Sequence, residues 1–464
     1  MPKNVLFCYA RLPSFTNAVR DYVRAFGTYS EHHIHYYDMD SGPLDLELAP
    51  FDCIVFNYCF WARCLSVAPA VRERVARFTG LKIAILQDEY DYFLWHVATV
   101  SALGIDTIVT CVPEVHWRDV YRGQAFDKVE FINALTGYVP DNLLQLPKPK
   151  PLADRTWAVG YRSRPVPFVY GRLTQEKLLI GQRMKQICAE RGVSANIEVT
   201  EESRIYGDAW PLFIGDCRTM LGTESGSNVF DFDGSLKPAV QAYLRAQPDA
   251  DFETVYQRFL AGHDGKIQMN QVSPRIFETI AMQTGLVLFE GAYSGVVRPW
   301  EHFIPLKKDF SNVDQVLAAV ADVDGVEAMT RRAYEAVIAP GKYHFRHFVQ
   351  RLDAHISAKG PVGKGYEPYY GLVGWRTGAD VPIQELAGQS LRLPTDHPLR
   401  HLDHVPDHFF WVRFDRAAFH RALMRRYEAI LYSGAGRRLK AGLQKNAAVY
   451  AVLRKLVRLL TGRW

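Results

Sequence analysis

Short apolar runs of strand length alternate with amphipathic helical stretches from the first residues of the chain. The stretches "FTNAVRDYVRAFG" and "PAVRERVARFTG" separate runs such as "NVLFCYA" and "KIAILQD". Strands separated by helices favour a parallel sheet that helices cover on both faces. The pattern therefore predicts a doubly wound α/β domain over residues 1–150. Its predicted strands are 4–10, 33–39, 52–60, 82–88, 107–112 and 129–135.

A proline-rich segment ends this first series. "LPKPKPLADR", residues 146–155, carries prolines at alternate positions, which hold the chain extended. A second α/β series follows and predicts a second doubly wound, Rossmann-like domain over residues 151–345. Two such domains face each other across a cleft, and parallel sheets bind ligands at the carboxyl ends of their strands. The predicted elements of the second domain are strands at 157–162 and 196–200, helices at 174–192, 209–221 and 325–340, and a helix followed by a strand at 273–291.

Positive charge is concentrated at the C-terminus. The 464 residues carry a net charge of +5, but residues 434–464 hold eight Lys and Arg and no acid, so the remainder carries −3. The body of the protein is therefore not expected to bind nucleic acid. In "NAAVYAVLRKLVRLLTGRW" apolar residues recur at helical spacing with basic residues on other faces, which is typical of a helix lying on an anionic membrane. The alternative is a helix packed on the body or on a partner. We expect residues 346–464 to form a helical extension.

The N-terminus leads directly into a predicted strand. "MPKNVLFCYARL" lacks the long apolar core of a signal peptide, and no run in the sequence approaches the length of a membrane span. The cysteines are scattered without the spacing of a metal site. We therefore expect a cytoplasmic protein that is peripheral on the inner face of the membrane through its tail.

Basic residues lie close to a predicted helix start in the second domain. Arg162 ends a strand and Lys177 lies in the first turns of the next helix, with Arg172 between them. Fixed cations near a helix start are suited to a diphosphate, although surface charge is the alternative for any one Arg.

The segment "SPRIFETIAMQTGLVLFEG" predicts a helix followed by a buried strand. Ser273 is a predicted N-cap, Pro274 suits the first helical position, and Gly285 is placed to end the helix. Glu278 is the one carboxylate on this helix. It is either an ordinary solvated residue or an acceptor for the hydroxyls of a nucleotide sugar.

The order of these motifs resembles the C-terminal half of GT-B-fold glycosyltransferases, in particular the family-four-like and family-one-like groups. "GRLTQEK" is similar to their Arg/Lys pair on the donor diphosphate, and "FETIAMQTG" to the helix whose Glu accepts the ribose hydroxyls. The resemblance covers residues 157–340 and implies a nucleotide-sugar donor bound without a metal. Those families often carry a second Glu where this chain has Asn270. The candidate donor-binding residues are Arg162, Arg172, Lys177, Glu224, Ser225, Gly226, Ser273, Arg275 and Glu278.

The stretch "LGTESGSNVFDFDGS" holds two candidate features. Glu224, Ser225 and Gly226 form a turn whose backbone N–H groups and hydroxyls suit sugar or phosphate oxygens. Asp231 and Asp233 form an Asp-x-Asp pair, which in single-domain glycosyltransferases holds a divalent cation. That alternative conflicts with the two-domain layout, so we expect activity without a metal cofactor.

The first domain supplies candidate catalytic carboxylates. "ILQDEYDYF" places Asp88 and Glu89 directly after a strand, at the mouth of the cleft. Either carboxylate is a candidate general base for an acceptor hydroxyl, while a helix N-cap is the structural alternative for Asp88.

These observations predict a glycosyltransferase that moves a sugar from a nucleotide-sugar donor to a glycan or glycolipid acceptor in surface polysaccharide, lipopolysaccharide or glycolipid assembly. Two alternatives share the same cleft. One is a nucleotide-sugar epimerase of GT-B shape, and the other is a non-catalytic nucleotide-sugar-binding protein.

Overall fold

A six-stranded parallel sheet organises the first domain. In the computed structural model, which describes residues 1–9, 17–38, 48–61 and 69–359, its strands are β1 (Asn4–Tyr9), β2 (His33–Asp38), β3 (Cys53–Phe56), β4 (Leu81–Ile85), β5 (Thr107–Thr110) and β6 (Glu130–Asn133). They lie in the order β2-β1-β3-β4-β5-β6, and every neighbouring pair is parallel. The helices are α1 (Asn17–Tyr29), α2 (Tyr58–Trp61), α3 (Pro69–Arg77), α4 (Phe93–Leu103), α5 (Trp117–Val120) and α6 (Asp141–Leu144).

All six strands predicted for this domain are confirmed, with one clear difference in length. The prediction over 52–60 is too long, because β3 ends at Phe56 and a short helix starts at Tyr58. Asn57 makes the turn, since its side-chain oxygen accepts a hydrogen bond from the Cys59 N–H at 3.0 Å. Strands β1 and β3 are buried along their whole length, as expected of strands covered by helices on both faces.

A second parallel sheet organises the following part of the chain. Its strands are β7 (Trp157–Arg162), β8 (Ala195–Glu198), β9 (Cys217–Gly222), β10 (Gly285–Phe289) and β11 (Ile304–Leu306), in the order β11-β10-β9-β7-β8. The fold class predicted from the sequence, two doubly wound α/β domains facing a cleft, is confirmed. The helices of this part are α7 (Gly171–Glu190), α8 (Ala209–Gly215), α9 (Leu236–Ala246), α10 (Phe252–Val255), α11 (Pro274–Ala281), α12 (Val313–Ala321) and α13 (Val323–Ala333), with π-helical turns at Tyr256–Leu260 and Tyr334–Ile338.

The helix predicted over 209–221 is wrong in its second half. Helix α8 ends at Gly215, and the chain continues as β9, which pairs with β7 on one side and β10 on the other. Met220 and Leu221 are fully buried there. The central position in the sheet overrides the helical spacing of the apolar residues, because both faces of β9 are covered.

The sequence predicted that Gly285 ends helix α11, and this prediction is wrong. The helix ends at Ala281, Gln283 adopts a left-handed conformation with φ of 47°, and Gly285 is the first residue of β10. A Cβ at Gly285 would lie 2.7 Å from a methyl group of Val326, so the close approach of α13 to this strand requires glycine.

The chain returns to the first domain after the second. Helix α14 (Phe345–Lys359) buries Phe345, Phe348, Val349, Leu352 and Ile356 in the same core as β1 and α1. Lys3 Nζ donates to the Ile356 carbonyl at 3.0 Å, and Ser30 Oγ donates to Asp353 at 2.8 Å. The predicted boundary at residue 346 is therefore wrong for 346–359, which belong to the first domain. The predicted amphipathic tail lies outside the described residues.

The segment 223–272 bridges the two domains. Val229, Val240 and Val255 pack with Val169 in a small core of the second domain. Phe230, Ile267 and Met269 instead join the core of the first domain. This segment thus packs against both domains. No helix in the described part of the chain is long and apolar enough to cross a membrane.

Candidate active site in the interdomain cleft

An open cleft of about 950 Å³ lies between the carboxyl ends of the two sheets. It is lined by the loop after β4 on one side and by the start of α11, the first turns of α7 and the loop after β9 on the other. Eight of the predicted site residues line it, namely Asp88, Arg162, Lys177, Ser225, Gly226, Ser273, Arg275 and Glu278. The cleft lining does not include Glu89, Arg172 or Glu224.

Helix α11 points its N-terminus into the cleft. The Ser273 side chain accepts from the Arg275 N–H at 3.3 Å, as predicted for the N-cap, and Pro274 occupies the first turn. Ile276 and Phe277 are buried on the sheet side of the helix. The dipole of the helix favours a bound anion at this end.

Glu278 is half-buried on the cleft side of α11. Its Oε2 accepts from the indole Nε1 of Trp210 at 2.7 Å, while Oε1 makes no hydrogen bond with any residue that the structure describes. Burial raises the pKa of the Glu278 carboxyl above its ordinary value, and the Trp210 N–H and the charge of Arg275 act in the opposite direction. The interpretation of Glu278 as a fully solvated helix residue is therefore wrong.

Arg162 and Arg275 form one connected layer beneath this site. The terminal nitrogens of Arg162 donate to the Tyr161 carbonyl and to the backbone and side-chain oxygens of Asn196, at 2.7 to 2.8 Å. The guanidinium also stacks on Phe213. Burial lowers the pKa of the Arg162 guanidinium. Arg275 donates to the Arg162 carbonyl at 2.6 Å. Arg162 therefore supports Arg275, and its own guanidinium is engaged within the sheet.

Lys177 brings a second cation to the same place. Its Nζ lies 3.4 Å from Ser225 Oγ, and burial lowers its pKa to about 8, with the charge of Asp88 acting in the opposite direction. A side cavity of about 120 Å³ between Lys177, Thr223 and Arg275 adjoins the start of α11. Lys177, Arg275 and the helix N-terminus thus converge on one volume.

Gly226 shapes the turn beside Lys177. Its φ is 96°, and an added Cβ would lie 2.6 Å from Met269 Cβ, so a larger residue fits neither the backbone nor the space. Ser225 on the same turn exchanges backbone hydrogen bonds with Gln271, at 2.8 and 2.9 Å. The turn is held against the segment that leads into α11.

Asp88 and Glu89 point to opposite sides of the chain. Asp88 has φ of 61°, faces the cleft and accepts from Tyr90 OH at 2.5 Å. It is open to the water of the cleft, but both walls surround it, and this desolvation raises its pKa. Helix α4 begins at Phe93 with Tyr92 as its N-cap, so the N-cap interpretation of Asp88 is wrong.

Glu89 does not reach the cleft, which corrects its prediction as a catalytic base. It is fully buried and accepts from Thr110 Oγ1 at 2.6 Å and Tyr121 OH at 3.0 Å. Burial raises the pKa of its carboxyl. Asp88 has a left-handed backbone and Glu89 lies in the turn that follows it, so the two neighbouring side chains point in different directions.

Arg172 and Glu224 are also placed differently from the prediction. Arg172 lies on the outer face of α7, where it pairs with Glu253 at 2.9 Å and stacks on Tyr256. Arg172 and Lys177 are five positions apart on the helix, which turns the two side chains about 140° from each other. Glu224 is 1% exposed and accepts from the N–H groups of Ala292 and Tyr293 and from Asn270 Nδ2. Glu224 therefore holds the backbone at Ala292 and Tyr293 in place and does not face the cleft.

The Asp-x-Asp pair caps a helix. Asp231 accepts from the N–H groups of Leu236 and Lys237 at the start of α9, and Asp233 accepts from Ser235. Among residues 1–9, 17–38, 48–61 and 69–359 no group of three or more His, Cys, Asp or Glu is placed to hold a metal ion. The described residues thus offer no metal centre around this pair.

Several cleft residues carry no local sequence signal. Tyr170 and Asp91 line the cleft, and the Asp91 carboxylate accepts from both Tyr170 OH and Lys237 Nζ, which joins the turn before α7 and helix α9 to the first domain. His96 also lines the cleft, and burial lowers its pKa to about 4, so its imidazole is neutral at physiological pH. Trp210 lies in a segment whose apolar residues have helical spacing, and that pattern does not indicate a ligand site.

No protein-family model and no curated protein sequence matches the chain. Among solved structures, it is similar to an alpha-glucosyltransferase in complex with UDP and a 13-mer DNA, with a TM-score of 0.46 and 9% identity over 77% of this chain and 100% of that one. It is also similar to sucrose-phosphate synthase from Thermosynechococcus elongatus, with a TM-score of 0.40 and 13% identity over 77% of this chain and 98% of that one.

The chain further resembles TarM, with a TM-score of 0.38 and 10% identity over 66% of this chain. It spans about half of TarM, 54% of that chain. In this chain two parallel-sheet α/β domains face one cleft. At such identities a likeness concerns the fold alone, because one fold carries many chemistries, and the activity has to be argued from the cleft.

Proposed function

We propose that this protein is a glycosyltransferase that transfers a sugar from a nucleotide-sugar donor to a glycan or glycolipid acceptor. The observation that carries the proposal is the convergence of Lys177, Arg275 and Glu278 at the N-terminus of α11. Two cations and a helix start match a diphosphate. A carboxylate with one unpaired oxygen, one turn further along, matches the hydroxyls of a ribose.

The chemistry follows from where charge develops. When the bond between the sugar's anomeric carbon and the diphosphate oxygen breaks, negative charge grows on the diphosphate next to Lys177 and Arg275. Fixed cations and the α11 N-terminus stabilise that charge without reorganising. Holding donor and acceptor in one cleft lowers the barrier further by proximity. These residues supply the stabilisation that a metal ion supplies elsewhere, so the reaction proceeds without one.

The acceptor enters from the first domain in this proposal. Its hydroxyl oxygen bonds to the anomeric carbon, and its proton passes to Asp88, which faces the cleft. Desolvation raises the pKa of Asp88, which makes it a better proton acceptor than an exposed Asp. The charge of Asp88 also acts on Lys177, which supports a short path between acceptor and donor sides.

The lipid-linked nature of the acceptor is supported by the basic tail. Residues 434–464 carry eight basic residues and no acid, and their apolar spacing suits a helix on an anionic bilayer. An enzyme held at the inner face of a membrane meets glycolipid acceptors of surface polysaccharide or lipopolysaccharide assembly there.

Incubation of the full chain with a panel of UDP-, GDP-, ADP-, CDP- and TDP-sugars tests the proposal. A glycosyltransferase releases nucleotide and transfers labelled sugar to an acceptor, an epimerase returns an isomerised nucleotide sugar, and a binding protein does neither. Arg275→Ala should lower turnover about 100-fold, the usual cost of removing one charge-stabilising donor. Arg172→Ala, the same change on the outer face of α7, is the matched control and should leave turnover unchanged.

Isomerised sugar without transfer would replace the proposal by the epimerase. Equal turnover in Arg275→Ala and Arg172→Ala would contradict the assignment of the donor site to the N-terminus of α11.

A further inference from the structure

The indole of Trp210 contacts both charged residues that α11 presents to the cleft. Its Nε1 donates to Glu278 Oε2 at 2.7 Å, and the guanidinium carbon of Arg275 lies 5.5 Å from the centre of its ring. Arg275 and Glu278 are three residues apart and therefore neighbours on one side of the helix. One side chain from α8 thus contacts the cation and the carboxylate that the proposed function assigns to the diphosphate and the ribose.

Trp210 is itself held in place. Its ring stacks on Phe213 of the same helix, with the centres 5.9 Å apart and the planes at 28°. Phe213 also contacts the guanidinium of Arg162, which lies 4.3 Å from its ring centre. Helix α8 leads directly into β9, the central strand of the sheet. A site residue held by packed neighbours on a rigid element keeps its geometry when the ligand is absent.

The hydrogen bond leaves Glu278 with one oxygen engaged and one unpaired. An indole N–H only donates, so Oε2 is always the accepting atom of this contact. Oε1 makes no hydrogen bond with any of the described residues, and Glu278 lines the cleft. The N–H also favours the ionised carboxylate against the effect of burial on its pKa. The carboxylate is therefore oriented by one hydrogen bond and open to a ligand at its other oxygen.

We infer that Trp210 is a positioning residue that aims the free oxygen of Glu278 at the ribose hydroxyls and thereby makes the site selective for ribonucleotides over deoxyribonucleotides. The inference rests on the proposed function, in which this cleft binds a nucleotide sugar. Its distinguishing consequence is that the contribution of Trp210 to affinity depends on the hydroxyls of the ligand. A Trp that only packs, or only stacks on a base, contributes equally with and without them.

Calorimetry on the full chain with UDP, GDP and ADP and their 2′,3′-dideoxy counterparts measures this dependence. Trp210→Phe keeps an aromatic ring beside Arg275 and removes the N–H. It should weaken binding of the preferred ribonucleotide about tenfold, as expected for a lost hydrogen bond to a charged group. Binding of the dideoxy counterpart should stay within about twofold. Trp157→Phe, the same change on β7 away from the cleft lining, should alter neither affinity.

Equal losses for both ligands, or no loss for either, would overturn the positioning role. A double-mutant cycle gives a second test, because Trp210→Phe should add no further loss in a Glu278→Ala background, where the acceptor of its N–H is gone. Additive losses would overturn it as well. If Trp210→Phe melts at the temperature of the measurement, Trp210→Tyr replaces it, since a phenol also lacks the ring N–H.

Failure of the proposed function has a different signature. If the native chain binds none of UDP, GDP, ADP, CDP and TDP, or if Glu278→Ala leaves the affinity for the bound nucleotide unchanged, the donor site and the role of Trp210 fall together. If Glu278→Ala weakens binding while Trp210→Phe acts equally on ribo- and dideoxynucleotides, only the role of Trp210 falls.

Discussion

The carboxylate of Asp91, in the first domain, accepts two hydrogen bonds from Lys237 Nζ, in the second, at 2.9 and 2.6 Å. Both side chains are well shielded, with 16% of Asp91 and 19% of Lys237 exposed. Tyr170 OH donates to the same carboxylate at 2.7 Å. Asp88 and Tyr92, on either side of Asp91, both have positive φ, so the backbone of this loop is strained. The Asp91–Lys237 pair therefore holds a strained loop that carries the candidate base, Asp88.

Lys237→Met is expected to destabilise the protein, because it leaves the Asp91 carboxylate shielded with one donor fewer. We expect the free energy of unfolding to fall by about 3 kcal/mol, the lower end for breaking a buried pair. Denaturant unfolding measures it. Lys185→Met, which breaks the exposed pair with Glu198, is the control and should cost less than about 1 kcal/mol. Equal effects of the two changes would contradict a structural role for the interdomain pair.

Nucleotide affinity is expected to fall as the pH rises through about 8. Burial holds the pKa of Lys177 at about 8, so its ammonium is present below that pH and is lost above it. Because a diphosphate binds the charged form, affinity should be highest below this value and decline above it. Calorimetry of UDP, GDP or ADP binding between about pH 6.5 and 9.5 measures the decline. In Lys177→Arg, whose charge persists, the decline should disappear. An unchanged decline in that variant would assign the titration to another group.

Sugar transfer is expected to persist in the presence of EDTA. The reason is that Lys177, Arg275 and the α11 N-terminus stand where a metal ion would neutralise the diphosphate. Turnover before and after chelation, with Mn²⁺ or Mg²⁺ added back, is the measurement. If chelation abolishes turnover and either ion restores it, Asp231 and Asp233 become candidate metal ligands again. Asp231 would then have to give up its hydrogen bonds to the first N–H groups of α9.

Deletion of residues 434–464 is expected to release the protein from anionic vesicles. Without them the chain carries a net −3, and near an anionic surface each Lys or Arg contributes on the order of 1 kcal/mol. Sedimentation with vesicles rich in anionic lipid measures attachment, and high salt should weaken it in the intact protein. Turnover of a water-soluble acceptor analogue should stay unchanged. If the truncated protein still sediments with vesicles, another part of the chain attaches it to the membrane. If the truncated protein unfolds, residues 434–464 are a helix that packs on the body of the protein.

Local chemistry was sufficient to predict most elements of the fold and part of the cleft. The alternation of apolar runs and helical spacing identified all the strands of the first sheet, because burial on both faces leaves nearly continuous apolar runs. Ser273 and Pro274 marked the start of α11, since N-caps depend on neighbouring residues alone. Glu278 on α11 and Lys177 on α7 each stood in a sequence motif that predicted a place in the cleft, and both line it.

Tertiary structure alone decided where chemically similar residues point. Asp88 and Glu89 are adjacent carboxylates, yet Asp88, at a left-handed backbone position, faces the cleft, while Glu89 accepts hydrogen bonds from Thr110 and Tyr121 in the core. Residues 217–222 have helical apolar spacing but form the central strand, because only the sheet supplies partners on both sides. The return of α14 to the first domain, the Asp91–Lys237 pair and the Trp210–Glu278 contact join segments far apart in the chain. Such contacts depend on how elements pack, and no local pattern of residues carries that information.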